Sequence, residues 1–116
     1  MTDVFVLAQT ALNTLTGIPS GADVILNLDG SIPDTYVVYD VVSAAPTQHA
    51  DNAETERLFR VQVSIYCRDG YSAMPNVDGA MLAAGFSRGD WRQLPRDEST
   101  GHFALAKDYT ILIDQN

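Results

Sequence analysis

The chain has 116 residues, of which 46% are hydrophobic and 19% are charged. This length and composition predict one globular domain, spanning residues 1–116, and exclude an intrinsically disordered chain. The 15 acidic residues against 7 Lys and Arg give a net charge of −8. This charge excludes a protein that binds nucleic acid through clusters of basic residues. No apolar run approaches the roughly 20 residues that span a bilayer, so no membrane contact is expected.

The negative charge is concentrated in the first half of the chain. Residues 1–56 contain eight acids and no Lys or Arg, whereas residues 57–116 contain seven acids and seven bases. An acidic surface of this kind either lets DNA pass without holding it or serves only for solubility, and charge alone leaves both interpretations open. One cysteine and an N-terminus without a positively charged leader region favour a reducing cytoplasm, or an assembly made there.

Helical spacing of apolar residues predicts a helix at the N-terminus. Thr2 or Asp3 can cap its start, and Gly17 with Pro19 is expected to close it. A short strand is predicted over residues 23–28. The apolar stripe of the helix consists of Val4, Ala8, Ala11, Leu12 and Leu15.

Three further strands are predicted from β-branched and alternating residues. Residues 35–43 form an apolar run typical of a covered strand. Residues 44–54 are small, polar and interrupted by Pro46, and they are expected to form an 11-residue connecting loop. Residues 59–68 alternate apolar with polar side chains, which is the clearest strand pattern in the chain. A last alternating strand contains Phe103, Leu105, Tyr109, Ile111 and Ile113, with Lys107 interrupting its apolar face.

A second helix is predicted over residues 72–84, with Ser72 as its cap and Pro75 in its first turn. Residues 86–96 are expected to form a loop or a short edge strand, because Pro95 favours an edge. The chain therefore reads as an α+β fold in the order α-β-β-β-α-(β)-β. An antiparallel sheet of about four strands is expected to carry both helices on one face.

No pattern of catalytic or metal-binding residues emerges. Cys67 has the same parity as the buried side of its strand, where a thiol is unreactive. His49 and His102 are the only histidines, and no nucleophile or ligand spacing accompanies them. Arg88-Gly89-Asp90 spells an adhesion tripeptide, but Gly and Asp are ordinary turn residues after a helix. We predict no enzymatic activity, no catalytic residue, no metal site and no cofactor.

The order of these weak features resembles the small tail-completion, or tail-terminator, proteins of long-tailed bacteriophages. An N-terminal helix precedes the extended run Pro-Asp-Thr-Tyr-Val-Val-Tyr (33–39), and the step Ala-Asp-Asn (50–52) precedes the alternating strand 59–67. A helix then ends in Ala-Gly-Phe-Ser-Arg (84–88), before an acidic turn at 97–102 and a final strand. The pairing of the long strand with the helix that ends at Gly85-Phe86 is the most specific part of the resemblance.

The resemblance implies a structural virion protein of the tail and neck, made in the bacterial host cytoplasm. Such proteins form a ring, usually of six copies, that caps the head-proximal end of the tail tube, ends tube growth and docks the tail to the connector. The implied partners are further copies of the chain, the tail-tube protein and the neck or stopper connector protein. DNA would pass through the lumen without specific binding, which agrees with the acidic charge.

Two other functions remain open at this stage. A neck stopper or head-completion protein of the head–tail connector is also a small ring-forming protein, and the sequence separates it badly from a terminator. A small cytoplasmic ligand-binding or enzymatic module is the remote alternative, and it requires a concave site with convergent polar groups.

Two segments are candidate oligomer or docking interfaces, because they are long, are expected to be exposed and flank the predicted sheet. Trp and Arg are enriched at protein interfaces, which favours an exposed role for Trp91, whereas its usual burial favours the core. The candidates are Thr47, Gln48, His49, Asp51, Asn52 and Glu54 in the first segment, and Arg88, Asp90, Trp91 and Arg92 in the second.

Overall fold

The computed structural model of the chain describes residues 3–22, 31–50 and 53–114. Its described residues form two α-helices and five strands. In chain order these are α1 (Val4–Leu12), β1 (Ser20–Gly21), β2 (Thr35–Ala50), β3 (Ala53–Cys67), a 3-10 turn (Tyr71–Ala73), α2 (Val77–Ala83), β4 (Ser87–Asp97) and β5 (His102–Asp114).

The strands belong to one sheet in the order β1-β2-β3-β5-β4. Neighbours from β2 to β4 pair antiparallel, whereas the two-residue β1 pairs parallel with β2 at Val37 and Val38. The predicted α+β class with two helices is therefore confirmed. The predicted antiparallel sheet of about four strands is close but not correct, because β1 makes the sheet mixed and five-stranded. The strand predicted at 23–28 lies outside the described residues.

The core lies between the two helices and one face of the sheet. Cross-strand partners share a face of an antiparallel sheet, and Val61 pairs with both Val41 and Tyr109. On this face Val61, Val63 and Cys67 are fully buried, as the alternation of residues 59–68 predicted. One buried cluster joins the sheet to both helices and includes Val4, Ala8, Leu12, Val37, Tyr39, Val61, Val63, Ile65, Val77, Met81 and Tyr109.

The first helix has the predicted cap but ends early. Asp3 Oδ1 accepts a hydrogen bond of 2.8 Å from the Phe5 backbone N–H, which satisfies one free donor of the first turn. The α-helix ends at Leu12, so Leu15 packs on the core from the following turn and not from the helix. Gly17, with φ of 77°, reverses the chain after that turn.

The second helix begins five residues later than predicted. Ser72 lies in the 3-10 turn, and the N-cap is Asn76, whose side-chain oxygen accepts from the Gly79 N–H at 3.0 Å. Pro75 therefore precedes the cap and does not occupy the first helical turn. The cause is local, because proline disfavours helical geometry in the residue before it.

The predicted loop over residues 44–54 is wrong. β2 continues through Ala50 and β3 begins at Ala53, so the two strands form one long hairpin joined by residues 51 and 52. Register shifts between Val41 and Ser43, and twice between Pro46 and His49, accompany the polar stretch. Residues with little apolar pattern can form strands here because backbone pairing supplies their hydrogen bonds.

Residues 86–96 adopt the strand alternative. β4 pairs with β5 alone and forms one edge of the sheet, and Pro95 occupies an edge position as expected. In β5 the predicted apolar residues Tyr109 and Ile113 are buried, and Leu105 and Ile111 pack partly on the core.

Replacing Val63 with aspartate tests the strand parity. Val63 is 0% exposed in the core, so we expect Val63→Asp to lower the free energy of unfolding by at least about 3 kcal/mol, through an unpaired buried carboxylate. Ser64→Asp, on the other face of the same strand, is the control and should cost about 1 kcal/mol or less. Equal urea midpoints for Val63→Asp and the parent would contradict the described core.

Candidate functional site

The first group of candidate residues lies in the end of the β2–β3 hairpin. We call residues 44–50 and 53–59 the β2–β3 arm. Thr47, Gln48 and His49 lie on β2, and Glu54 lies on β3, where its backbone faces His49. Asp51 and Asn52 join the strands and lie outside the described residues. The sequence analysis predicted a loop for this segment, whereas the structure has two paired strands.

The β2–β3 arm extends beyond the other strands. The first residue of β4, Ser87, faces Thr110 of β5, which is level with Arg60 at the base of the arm. The last paired residue of β5 is Asp114, opposite Glu56. Between Glu56 and the tip, the described hairpin has only two strands. Two-stranded hairpins have marginal stability by themselves.

The dimensions of the chain agree with a projecting arm. The principal extents are 53 × 28 × 23 Å and the radius of gyration is 15.6 Å. A compact domain of 100 residues has a radius of gyration of about 13 Å. The chain is therefore elongated, and it presents more surface than a compact domain of its length.

The second group of candidate residues lies on the outer edge strand. We call Arg88, Asp90, Trp91 and Arg92 the β4 surface. All four residues are exposed, and Trp91 is 66% exposed, the largest fraction among the exposed large hydrophobic residues described. The core alternative for Trp91 is therefore wrong. Exposed Trp beside Arg is the composition that dominates the binding energy of protein interfaces.

A β-bulge shapes the β4 surface. Arg88 faces Tyr109 and Trp91 faces Lys107, so β4 has one residue more than β5 between these pairs. At Gly89 a Cβ atom would lie 3.2 Å from the backbone oxygen of Asp108, so a side chain there would push the two strands apart. The Arg88-Gly89-Asp90 tripeptide therefore belongs to a bulged strand, where glycine permits close approach, and not to the turn that its composition suggested.

A carboxylate on α2 connects the β4 surface to the core. Asp78 accepts a hydrogen bond of 2.5 Å from the Tyr109 hydroxyl, and its other oxygen lies 3.3 Å from Lys107 Nζ and 3.8 Å from an Arg88 guanidinium nitrogen. Burial alone would raise the pKa of Asp78, but hydrogen bonds from Tyr109 and Lys107 outweigh it and lower that pKa. Burial and the bond to Asp78 raise the pKa of Tyr109.

This cluster explains the lysine on an otherwise apolar face. Lys107 lies next to the bulge, in the neighbouring strand, and its ammonium group has a carboxylate partner on α2. A cleft of about 330 Å³ opens beside the cluster, between α2 and β4, with Trp91 at its margin. The sequence analysis noticed Lys107 but missed Asp78, because their 29-residue separation leaves no spacing pattern.

The structure does not bring the two candidate groups together. The β2–β3 arm extends from one end of the sheet, beyond the level at which β4 begins, and β5 separates β4 from β3. They are two separate surfaces of one chain. A protein that uses both therefore contacts at least two neighbours or one large neighbour.

The sheet face opposite the helices carries an aromatic cluster that the sequence analysis did not identify. The Tyr36 and Tyr66 rings stack at 4.8 Å, and the His102 ring packs edge-on at 5.2 Å from Tyr36. His102 is 1% exposed. Its Nε2 lies 2.8 Å from the Pro33 carbonyl, which can only accept, so Nε2 donates this bond, and Nδ1 lies 2.8 Å from the Thr100 hydroxyl. This histidine is a structural core group.

Residues with catalytic or ligating chemistry are not gathered into one site in the described ranges. No three His, Cys, Asp or Glu side chains there are grouped so that they could hold a metal ion. Cys67 is fully buried and receives a hydrogen bond of 3.4 Å from Thr35. In the same ranges no helix has the length and apolar character needed to cross a membrane.

Comparison with known proteins supplies no relative for this chain. The sequence matches no protein-family model, and a search of curated proteins gives no significant match. Functional interpretation therefore depends on the surfaces described above and on the sequence resemblance.

The Asp78 cluster predicts a component of stability that disappears in acid. Because the pKa of Asp78 is lowered from 3.8 in the folded chain, its contribution is present above that value and is lost as the pH falls below it. The free energy of unfolding of Asp78→Asn should fall below that of the parent near pH 7, and the gap should narrow towards about pH 3. Urea unfolding across this range measures it.

Asp90→Asn is the matched control, since Asp90 is exposed on the neighbouring strand and makes no ion pair with described residues. The free energy of unfolding of Asp90→Asn should stay close to that of the parent across the same pH range. A constant gap for Asp78→Asn from neutral to acid pH would contradict the ion-paired cluster.

Proposed function

We propose that the chain is a structural, non-enzymatic virion protein of the bacteriophage head–tail junction, a tail terminator. In this function, six copies of the chain form a ring on the head-proximal end of the tail tube. The ring ends tube growth and joins the tail to the connector. The observation that carries the proposal is the β2–β3 arm, which pairs with β5 as far as Glu56 and is two-stranded between Glu56 and its tip among the described residues.

An arm of this kind suits an assembly protein better than a protein that acts as a monomer. Isolated two-stranded hairpins are marginally stable, so contact with another chain would stabilise the extension. Between Glu56 and the tip, the described backbone of the arm pairs only within β2 and β3. It can therefore contact a neighbour without changing the packing that maintains the fold.

The charge of the chain fits a ring through which DNA passes. Six copies at −8 each carry about −48 formal charges, and an acidic lumen does not bind phosphates. The seven Lys and Arg all follow residue 56 in the sequence. At least four of them, Arg60, Arg68, Arg88 and Lys107, lie within ion-pair distance of Asp residues in the same chain.

The partners under this proposal are other copies of the chain, the tail-tube protein and the neck or stopper connector protein. The chain reaches two kinds of neighbour through two separate surfaces, the β2–β3 arm and the β4 surface. A neck stopper or head-completion protein would use the same features, and the experiment below separates it from a terminator.

An early stop codon in the gene, within the genome that encodes it, tests the proposal. We expect electron microscopy of the lysate to show DNA-filled heads beside free tails of abnormal length, because tube growth is not terminated. Free tails of normal length beside heads that leak or lack tails would replace the terminator with the stopper function. Intact infectious particles would contradict any essential virion role. A plasmid copy of the gene should restore normal particles.

Shortening the β2–β3 arm tests its role separately from folding. Deleting residues 47–53 leaves Pro46 opposite Arg57, so residues 54–56 can close a three-residue turn. We expect the variant to keep its circular dichroism spectrum, with a melting temperature within about 5 °C of the parent. The same variant should fail to restore particles in the stop-codon strain. Normal particle yield would contradict an assembly role for the arm.

A further inference from the structure

We propose that the β4 surface of one copy docks on the outer edge of β2 of the next copy, in a head-to-tail contact. The inference depends on the proposed ring and specifies which residues form its subunit interface. We call Asp40 and Val42 the β2 surface. β4 lies at one end of the strand order, and β2 lies next to the other end, with the short β1 as its outer neighbour among the described residues.

The charges of the two surfaces are complementary. Arg92 on β4 and Asp40 on β2 are both exposed, and neither forms an ion pair with a described residue. Within the described part of the chain, each charge is therefore open to a partner on another molecule. Because copies with a net charge of −8 repel one another, an interface needs a local attraction of this kind to set its register.

Each surface also carries an exposed apolar side chain beside its charge. Trp91 is 66% exposed on β4, and Val42 is 42% exposed on β2. Val42 lies at a register shift of β2, and Trp91 follows the bulge of β4. Both irregular positions leave an apolar group exposed, and burying the two against each other would remove that surface from water.

The position of the charges within the sheet fits an edge-to-edge contact. Arg92 faces Ala106 across to β5, and that row continues through Ser64 to Val38 on β2. Asp40 follows Val38 by two residues, so both side chains lie on the same face of the sheet. The two residues are about 7 Å apart along the strand. When two copies lie side by side with a small offset along the strands, Arg92 of one copy and Asp40 of the next lie on the same face of the interface.

Strand direction favours the same arrangement. β2, β3, β5 and β4 alternate in direction, so β4 runs opposite to β2. A second copy in the same orientation therefore presents its β2 antiparallel to the first copy's β4. Among the described residues, β1 pairs only with Val37 and Val38, and the side chains of Asp40 and Val42 are exposed. Repeating this heterologous contact by rotation closes a ring.

Sedimentation equilibrium of purified variants tests the contact. Trp91→Ala and Arg92→Asp should each raise the dissociation constant for self-association by at least about 10-fold. Val6→Ala, on a 60% exposed apolar residue of α1, and Glu98→Arg, with the same charge change as Asp40→Arg, are the controls and should not weaken it. The double variant Arg92→Asp with Asp40→Arg should regain most of the affinity lost by either single change.

Mixing two defective variants tests the head-to-tail geometry. Trp91→Ala/Arg92→Ala keeps an intact β2 surface, and Asp40→Arg/Val42→Asp keeps an intact β4 surface, so the two altered surfaces carry no complementary charges. Each alone should be monomeric, and an equimolar mixture should form dimers and nothing larger, because each dimer contains one intact contact. Self-association of either variant alone, no dimer on mixing, or a parent that stays monomeric up to about 1 mM would overturn the inference.

The proposed function and this inference can fail separately. The stop-codon experiment uses neither surface residue, so abnormal tails together with unaffected association of the β4 variants would reject the docking contact and keep the terminator function. Rescue of the charge-swapped pair together with intact particles from the stop-codon strain would support the contact and reject the terminator function.

Discussion

Burial of one face of β3 is the constraint on which the rest of the structure depends. Val61, Val63 and Ile65 are at most 1% exposed, and each contributes on the order of 2 kcal/mol by leaving water. β3 pairs along its length with β2 on one side and, from Glu56 to Cys67, with β5 on the other. The two helices pack on that same face, so the described residues form one core, and β4 forms an edge of the sheet that pairs on one side only.

Unequal strand lengths follow from this arrangement and create the surfaces that assembly can use. β2 and β3 have 16 and 15 residues, whereas β4 has 11 and begins farther from the tip of the β2–β3 hairpin. The hairpin therefore extends beyond β4 and β5 and forms the β2–β3 arm. At the other edge, Trp91 is exposed beside the bulge at Gly89. Asp78 of α2 binds Tyr109 and Lys107 of β5 and lies 3.8 Å from Arg88 of β4. A rigid base beneath an exposed edge lowers the entropy lost on docking.

The elements predicted well from the sequence are those whose own side chains define them. The alternation through Val61 and Val63 indicated β3, and the cap at Asp3 indicated the start of α1. The β2–β3 arm was misread because Ala, Pro, Thr and Gln carry no alternating pattern, and its pairing energy comes from the opposite strand. The same limit applied to Asp78, whose partners lie far away in the sequence.

Trp91 shows a second limit of sequence reasoning. Its residue type favours burial on average, and only the edge position of β4 and the bulge beside Gly89 decide that it is exposed. The aromatic cluster of Tyr36, Tyr66 and His102 was missed for a similar reason. Its members come from three strands that become neighbours only when the sheet forms.

Immunogold electron microscopy of particles that carry an epitope-tagged copy of the chain tests the central claim most directly. The claim is that the chain occupies the head–tail junction of a phage particle. The account predicts gold at the point where the tail meets the head, and on the head-proximal end of tails that have not yet joined. Gold on the capsid wall, along the tube or at the distal tail tip, or a tagged chain that never sediments with particles, would contradict it.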